Sequence, residues 1–309
     1  MKFAAATFAL ALLFVAASNL PAGAAEKTSD QFHADANVVL INATVLDRHD
    51  RPVRGLTRDH FRVFEDKVEQ RISYFSEEEV PVSLAVIFDV SGSMHNKMAG
   101  MRSALGSVLQ SANPQDEFSL VTFADAPHVV VGWNSNADEI QNRLLSESAH
   151  GQTSLLDALS TGLAMMKKAS HQRKAMLIFS DGGDNHSRWT ERQLMQSLAE
   201  AGVQIYAIEG SEPSMAPVDP PEIMEGQGLL QRICDDAGGR YFKVQDKRDL
   251  AAAEQWISQE MRLQYLIGYV PASNAQDGRF HHVRVDVKRD EGTPKMSVFW
   301  RRSYRATGD

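Results

Sequence analysis

Leu84-Ala-Val-Ile-Phe-Asp-Val-Ser-Gly-Ser-Met94 joins an unbroken apolar run to a loop that carries an aspartate and two serines. Leu84 to Phe88 do not alternate with polar residues, so both faces of the segment avoid water. That is the pattern of a strand covered by helices on either side, as in parallel sheets. Asp89, Ser91 and Ser93 then fall on alternate positions around Gly92. Three small oxygen-bearing side chains at the end of a buried strand suit a plain turn, a nucleophile or a metal site. The rest of the sequence bears on the choice.

Downstream, Met98, Met101, Leu105, Val108 and Leu109 recur at helical spacing. A second apolar strand follows at 118–123, a helix at 154–169, a third strand at 175–180, a helix at 190–202 closed by Gly202, and a fourth strand at 203–208. The stretch 228–239 reads as a helix with a glycine stop, 240–244 as a strand and 247–264 as a last helix. Strands alternating with helices imply right-handed crossovers and an α/β fold with a doubly wound, mostly parallel, Rossmann-like sheet. Val129-to-Asn136, which contains Trp133, reads as a loop at a strand end, with Trp133 either packed or an anchor for a partner.

The flanks follow a different pattern. Residues 38–47, Phe61 to Phe64 and Ile72 to Phe75 read as strands ahead of this core, and 264–270, 280–289 and 296–304 as strands behind it. Val283, Val285 and Val287 alternate with charged residues, as in a half-exposed antiparallel strand. Neither group makes a comfortable sheet alone, so the two are expected to combine into one accessory, sandwich-like β module. The expected limits are 1–24 for a signal peptide, 25–36 for a polar linker, 37–80 for the first β segment, 81–262 for the α/β domain and 263–309 for the second β segment. The signal reading rests on Lys2, the apolar run Phe3 to Ala17 and the small residues Ala22 and Ala24. It implies an exported protein, periplasmic or secreted, with no stable membrane span after cleavage.

The 309 residues carry a net charge of −8, which gives no general attraction to nucleic acid or anionic lipid. One cysteine, Cys234, excludes an internal disulfide framework; its spacing from Leu230 suits a small core residue. There is no GxSxG elbow, no GxGxxG and no GxxxxGK[ST], so serine-hydrolase, dinucleotide and P-loop chemistry lack their usual parts. An aspartyl nucleophile at Asp89 would lack a second acid, since Ser91 stands where one would be expected.

In an open parallel sheet, ligands bind beyond the carboxyl ends of the strands, where strand order reverses. Asp89, Ser91 and Ser93 fall there. So does Asp181, which closes the strand 175–180, and Thr153, which precedes a helix. Three neutral hydroxyls and two carboxylates form an all-oxygen set suited to a hard divalent cation, Mg²⁺ first, with Mn²⁺ or Ca²⁺ possible, and unsuited to zinc or copper. Few anionic ligands would leave the ion electrophilic toward a carboxylate from outside.

Asp89-Val-Ser91-Gly-Ser93, Thr153 and Asp181-Gly-Gly resemble the DxSxS, Thr and Asp elements of the von Willebrand factor type A (VWFA) domain, over roughly residues 82–262. With the flanking β segments, nearly the whole mature chain resembles the bacterial, acidobacterial-type VWFA-related family. The resemblance implies a metal-ion-dependent adhesion site (MIDAS), with Ser91, Ser93 and Thr153 as direct ligands and Asp89 and Asp181 often acting through water. It implies a binding protein rather than an enzyme, whose partner is a protein offering a carboxylate to the metal. The alternatives are a metal-stabilised component of an envelope or secretion assembly and, further off, a metal-dependent hydrolase. Asp184 and Asn185 read as turn formers, His95 and His186 as solvated loop residues, and His281-His282 as a strand pair pointing to opposite faces.

Overall fold

The computed structural model describes residues 38–78, 80–210, 221–260, 263–272, 277–288 and 295–306. The expected signal peptide and polar linker lie outside the described residues.

The core is a six-stranded sheet. In chain order its strands are β5 (Val82–Asp89), β6 (Glu117–Phe123), β7 (Pro127–Asn134), β8 (Arg173–Ser180), β9 (Gln204–Gly210) and β10 (Tyr241–Val244), numbered after the four strands of the accessory module that precede them in the chain. Their spatial order is β10-β9-β8-β5-β6-β7. All neighbouring pairs are parallel except β6 with β7. Every residue of β5 is buried. Its side chains divide by parity: Leu84, Val86 and Phe88 pack in the apolar cluster on one face, and Ala85 and Ile87 in the cluster on the other. Helices α1 (Met98–Gln110), α2 (Ala137–Leu145) and α6 (Lys247–Glu260) cover the first face. Helices α3 (Leu155–Met166), α4 (Glu191–Ala201) and α5 (Pro221–Ala237) cover the second. Each fully buried aliphatic or aromatic side chain in these layers stabilises the fold by roughly 1.5–3 kcal/mol.

Local chemistry sets the ends of these elements. Thr190 and Gln193 form a reciprocal capping box at the start of α4, and Gly202 ends it at φ +63°. Cys234 is fully buried in the α5 face, and burial pushes its thiol well above the usual range.

The stretch 129–136 departs from the sequence reading. Most of it belongs to β7 rather than to a loop, and α2, which the sequence reading did not mark, follows it. Pro127 suits the start of an edge strand, and the Asn136 side chain accepts from the backbone N–H groups of Asp138 and Glu139 to begin the helix. Trp133 is packed rather than presented, its indole N–H donating to Met165 O at 3.0 Å.

The flanking strands form two four-stranded sheets. One has the order β13-β1-β11-β4, from Ser297–Trp300, Val39–Leu46, Gln264–Tyr269 and Ile72–Glu78. The other has the order β14-β12-β2-β3, from Ser303–Arg305, Phe280–Val287, Phe61–Glu65 and Val68–Gln70. Strand β1 pairs antiparallel with β11 and β13, and β2 with β12, so residues from both sides of the core complete each other's sheets. Ile41, Ala43, Tyr265 and Ile267 of one sheet share an apolar cluster with Phe61, Val63, Val283 and Val285 of the other. The run 296–304 is not one strand. It breaks at Arg301 and Arg302, and β13 and β14 join different sheets.

The module packs against the amino ends of the core strands. Gln264 of β11 donates to Gln204 of β9 at 2.7 Å, and Thr44 of β1 donates to Glu260 of α6 at 2.8 Å. Among the described residues, none from the module lines the cleft at the carboxyl ends of the core strands. Among the described residues no helix is long and apolar enough to cross a membrane.

Candidate metal centre

Strand order reverses between β5 and β8, which continue to opposite sides of the sheet. A crevice is therefore expected at their carboxyl ends, where Asp89 and Asp181 stand.

Asp89 ends β5 with no exposure to solvent. Its Oδ1 accepts from the Ser91 backbone N–H at 2.8 Å, and its Oδ2 accepts from the Ser180 hydroxyl at 2.6 Å. Burial raises the Asp89 carboxyl to about 6. The Ser180 and Ser91 hydrogen bonds pull it down, and the nearby Asp181 carboxylate pushes it up. Ser180 was not singled out from sequence, since a serine just before a strand-end aspartate carries no motif of its own. The hydroxyls of Ser91 and Ser93 are 3.1 Å apart. Ser91 is buried and Ser93 exposed, so the pair runs from the floor of the loop to its surface.

The loops are laced together by backbone contacts. The Gly92 N–H donates to Gly151 O at 3.1 Å, and the His150 N–H to Val90 O at 2.8 Å. Gly151 has φ +67° and lies so close to Asp125 that a Cβ there would meet the carboxylate at 2.7 Å. Thr153 is 5% exposed. Its backbone N–H donates to Asn185 Oδ1, and its carbonyl accepts from the N–H groups of Asn185 and His186, all at 3.0 Å. Asp184 Oδ1 accepts from the Leu155 N–H at 3.0 Å, supplying the cap that Ser154 does not give α3. Asp184 and Asn185 are thus more than turn formers: they bolt the Asp181 loop to the Thr153 loop. The side chains of His95 and His186 are exposed.

Asp181 accepts from the Lys97 ammonium at 2.8 Å through Oδ2. Lys97 is the second site residue that the sequence reading missed. Ser93, Thr153, Asp181 and Lys97 line one cleft of about 930 Å³, with Asp89 and Ser91 beneath it, and Glu191 pairs with Arg232 at its rim.

The five residues singled out in the sequence therefore gather at one end of the sheet. The donor set fits a hard divalent cation in two respects: it is all oxygen, and the Ser91–Ser93 spacing matches the ~3 Å between neighbouring oxygens around an octahedral ion with ~2.1 Å bonds. His281 and His282 lie in the accessory module, one buried and one exposed, and do not join this site.

Comparison with known proteins agrees with the geometry. The family model for the von Willebrand factor type A domain matches residues 84–183. Inter-alpha-trypsin inhibitor heavy chain H4 from Homo sapiens is 23% identical over 210 residues, covering 62% of this chain and 21% of the relative. Heavy chain H3 from Bos taurus is 24% identical over 135 residues, covering 40% of this chain and 15% of the relative. This chain thus corresponds to a minor part of these curated relatives. Among solved structures, a von Willebrand factor type A protein from Catenulispora acidiphila superposes with a TM-score of 0.50 at 14% identity, covering 89% of this chain and 74% of the other. Proximal thread matrix protein 1 from the mussel byssus, with a zinc-occupied MIDAS motif, superposes with a TM-score of 0.50 at 18% identity, covering 62% and 49%. The fold is that of the VWFA domain, and the protein is a VWFA-domain protein.

Proposed function

We propose that this is an exported binding protein that holds one divalent cation in the cleft at the carboxyl ends of β5 and β8 and captures an acidic group of a protein partner through it. The observation that carries the reading is the convergence of Asp89, Ser91, Ser93, Thr153 and Asp181 at that point. Ser91, Ser93 and Thr153 would hold the ion directly, and Asp89 and Asp181 would act mainly through water. When bound, the ion supplies a Lewis-acidic position for a carboxylate oxygen. Mg²⁺ suits the hydroxyl-rich set best, with Mn²⁺ or Ca²⁺ as substitutes; the zinc held by the mussel protein supports a divalent ion at such a motif.

The protein's own residues prepare the site. The Asp89 carboxylate orients Ser91 through its backbone N–H and is itself fixed by Ser180. The bonds of Asn185 to the Thr153 N–H and carbonyl fix the backbone that carries the third hydroxyl. A nucleophilic role for Asp89 fits poorly, because both its oxygens are engaged and none of its surface is exposed.

The test is calorimetry of the purified protein with MgCl₂ and MnCl₂, alongside Thr153→Ala. One-site binding weakened at least tenfold in the variant is the expected result. Equal binding by both proteins would remove Thr153 from the site. No binding by the wild type would overturn the cation reading itself.

A further inference from the structure

The cleft contains a cation of its own. Lys97 opens α1, and its ammonium lies 2.8 Å from Asp181 Oδ2, with each side chain only 16% exposed. The pair is not a loose surface contact. The Lys97 stem lies against the end of β9, where a Cβ placed on Gly210 would meet Lys97 Cδ at 3.5 Å and Met101 Cε at 2.4 Å. The Lys97 N–H donates to Met94 O at 2.8 Å and its carbonyl accepts from the Met101 N–H at 3.1 Å, so the backbone at the start of α1 is fixed as well. Of the other charged residues that line the cleft, Asp184 is bonded to α3 and Ser187 and Arg232 is paired with Glu191, while Glu225 adds a further carboxylate to the lining.

We infer that Lys97 is a resident counter-cation of the site. It competes with the divalent ion for Asp181, and once displaced its ammonium becomes a second contact for the partner's acidic group. This rests on the cation reading above. An ammonium and a divalent ion cannot both sit against one carboxylate without repulsion. At about 5 Å, even near-bulk screening sets this repulsion at on the order of a tenfold loss of ion affinity. A lysine suits the exchange because its charge sits on a flexible four-carbon stem and can leave Asp181 without disturbing α1. The site would then hold its ion weakly alone and more firmly when an acidic partner neutralises both cations, which makes metal and partner binding mutually reinforcing.

The experiment compares Mn²⁺ binding by the wild type, Lys97→Met and Lys97→Arg in calorimetry, with melting curves as the folding control. Lys97→Met should bind at least fivefold more tightly, and Lys97→Arg should stay within about twofold of the wild type. In parallel, acetylation of the wild-type protein followed by mass spectrometry should show Lys97 protected without Mn²⁺ and modified several-fold faster with it; this arm needs no variant. Wild-type binding together with equal or weaker binding by Lys97→Met, or Lys97 labelling unchanged by Mn²⁺, would overturn the resident-cation role and leave the cation site standing. No Mn²⁺ binding by any of the three proteins would overturn both.

Discussion

Glu260 gives a prediction that can be worked from the structure. It ends α6 with no exposure to solvent, and its Oε1 accepts from the Thr44 hydroxyl of β1. Burial pushes its carboxyl from the ordinary 4.5 up to about 8, partly offset by the Thr44 and Tyr206 hydroxyls and the positive charges of Arg173 and Arg240. The folded protein therefore holds a proton on Glu260 that the unfolded chain releases. Below about pH 4.5 both states carry it, and the group costs nothing. From there to about pH 8 stability falls as pH rises, and above pH 8 the loss is complete. A carboxyl raised that far corresponds to about 5 kcal/mol at ~1.4 kcal/mol per tenfold change in proton affinity. Since the buried guanidinium of Arg173 is close by, we expect roughly half of that in practice. Glu260→Gln keeps the shape and the bond from Thr44 but cannot ionise. It should match the wild type near pH 5 and exceed it by about 2–3 kcal/mol at pH 9, a melting-temperature gain of about 4–6 °C for a chain of this size. Thermal unfolding at unit pH steps from 5 to 9 reads this out. A variant less stable than the wild type by a constant amount at every pH would refute the reasoning. It would mean that Glu260 is ionised in the fold and compensates Arg173, whose charge the substitution would leave buried and unpaired.

Two further predictions concern packing and the module. Gly226 of α5 lies on the Asp181 loop, where a Cβ would sit 2.2 Å from the Gly182 carbonyl oxygen; at Gly228 the nearest atom is the mobile end of Arg232 at 3.3 Å. Gly226→Ala should cost about 1–3 kcal/mol in chemical denaturation and weaken Mn²⁺ binding, while Gly228→Ala should be neutral or stabilise by up to about 1 kcal/mol. In the module, burial lowers the pKa of His281, but hydrogen bonds to Asp66 and Asp277 and the charges of Glu65 and Asp66 outweigh it, and the net shift is upward. Its stabilising contribution is therefore complete below about pH 6.5 and lost as pH rises past the raised folded value. Amide exchange in β12 should be slower at pH 6 than at pH 9 after correction for intrinsic rates, and His281→Gln should abolish that difference.

The strands of the core were legible because burial on both faces leaves an unbroken apolar run: Leu84 to Phe88 and Met176 to Phe179 are all without exposure. The site was legible for a different reason. Its residues are small, polar and placed just where those runs stop. Edge elements were harder to read. Strand β7 has one buried residue, Val131, and α2 has two, Ile140 and Leu144, so neither leaves a firm period in the sequence. The break between β13 and β14 was hidden because charged residues suit a strand edge as well as a crossover between sheets. Lys97 and Glu260 left no trace at all. A lysine in a loop and a glutamate in a polar helix read as solvated, and only the folded chain sets one 2.8 Å from Asp181 and packs the other under β1.

The interleaving of the two β sheets bears on how the chain folds. Thr44 and Glu260, joined by a hydrogen bond, are 216 residues apart in sequence, and β1 must wait for β11 and β13 before its ladder exists. The α/β core, by contrast, is built from contiguous strand–helix units, and its longest-range strand pairing, Val82 with Arg173, spans far less sequence than the module's. Loop-closure entropy and contact order favour assembly of the core first, with the module zipping up afterwards around its base. Until that last step the first strands are unpaired edges open to association with other chains. The late-forming module, rather than the domain that carries the cleft, is then the part of the molecule most exposed to misassembly during synthesis.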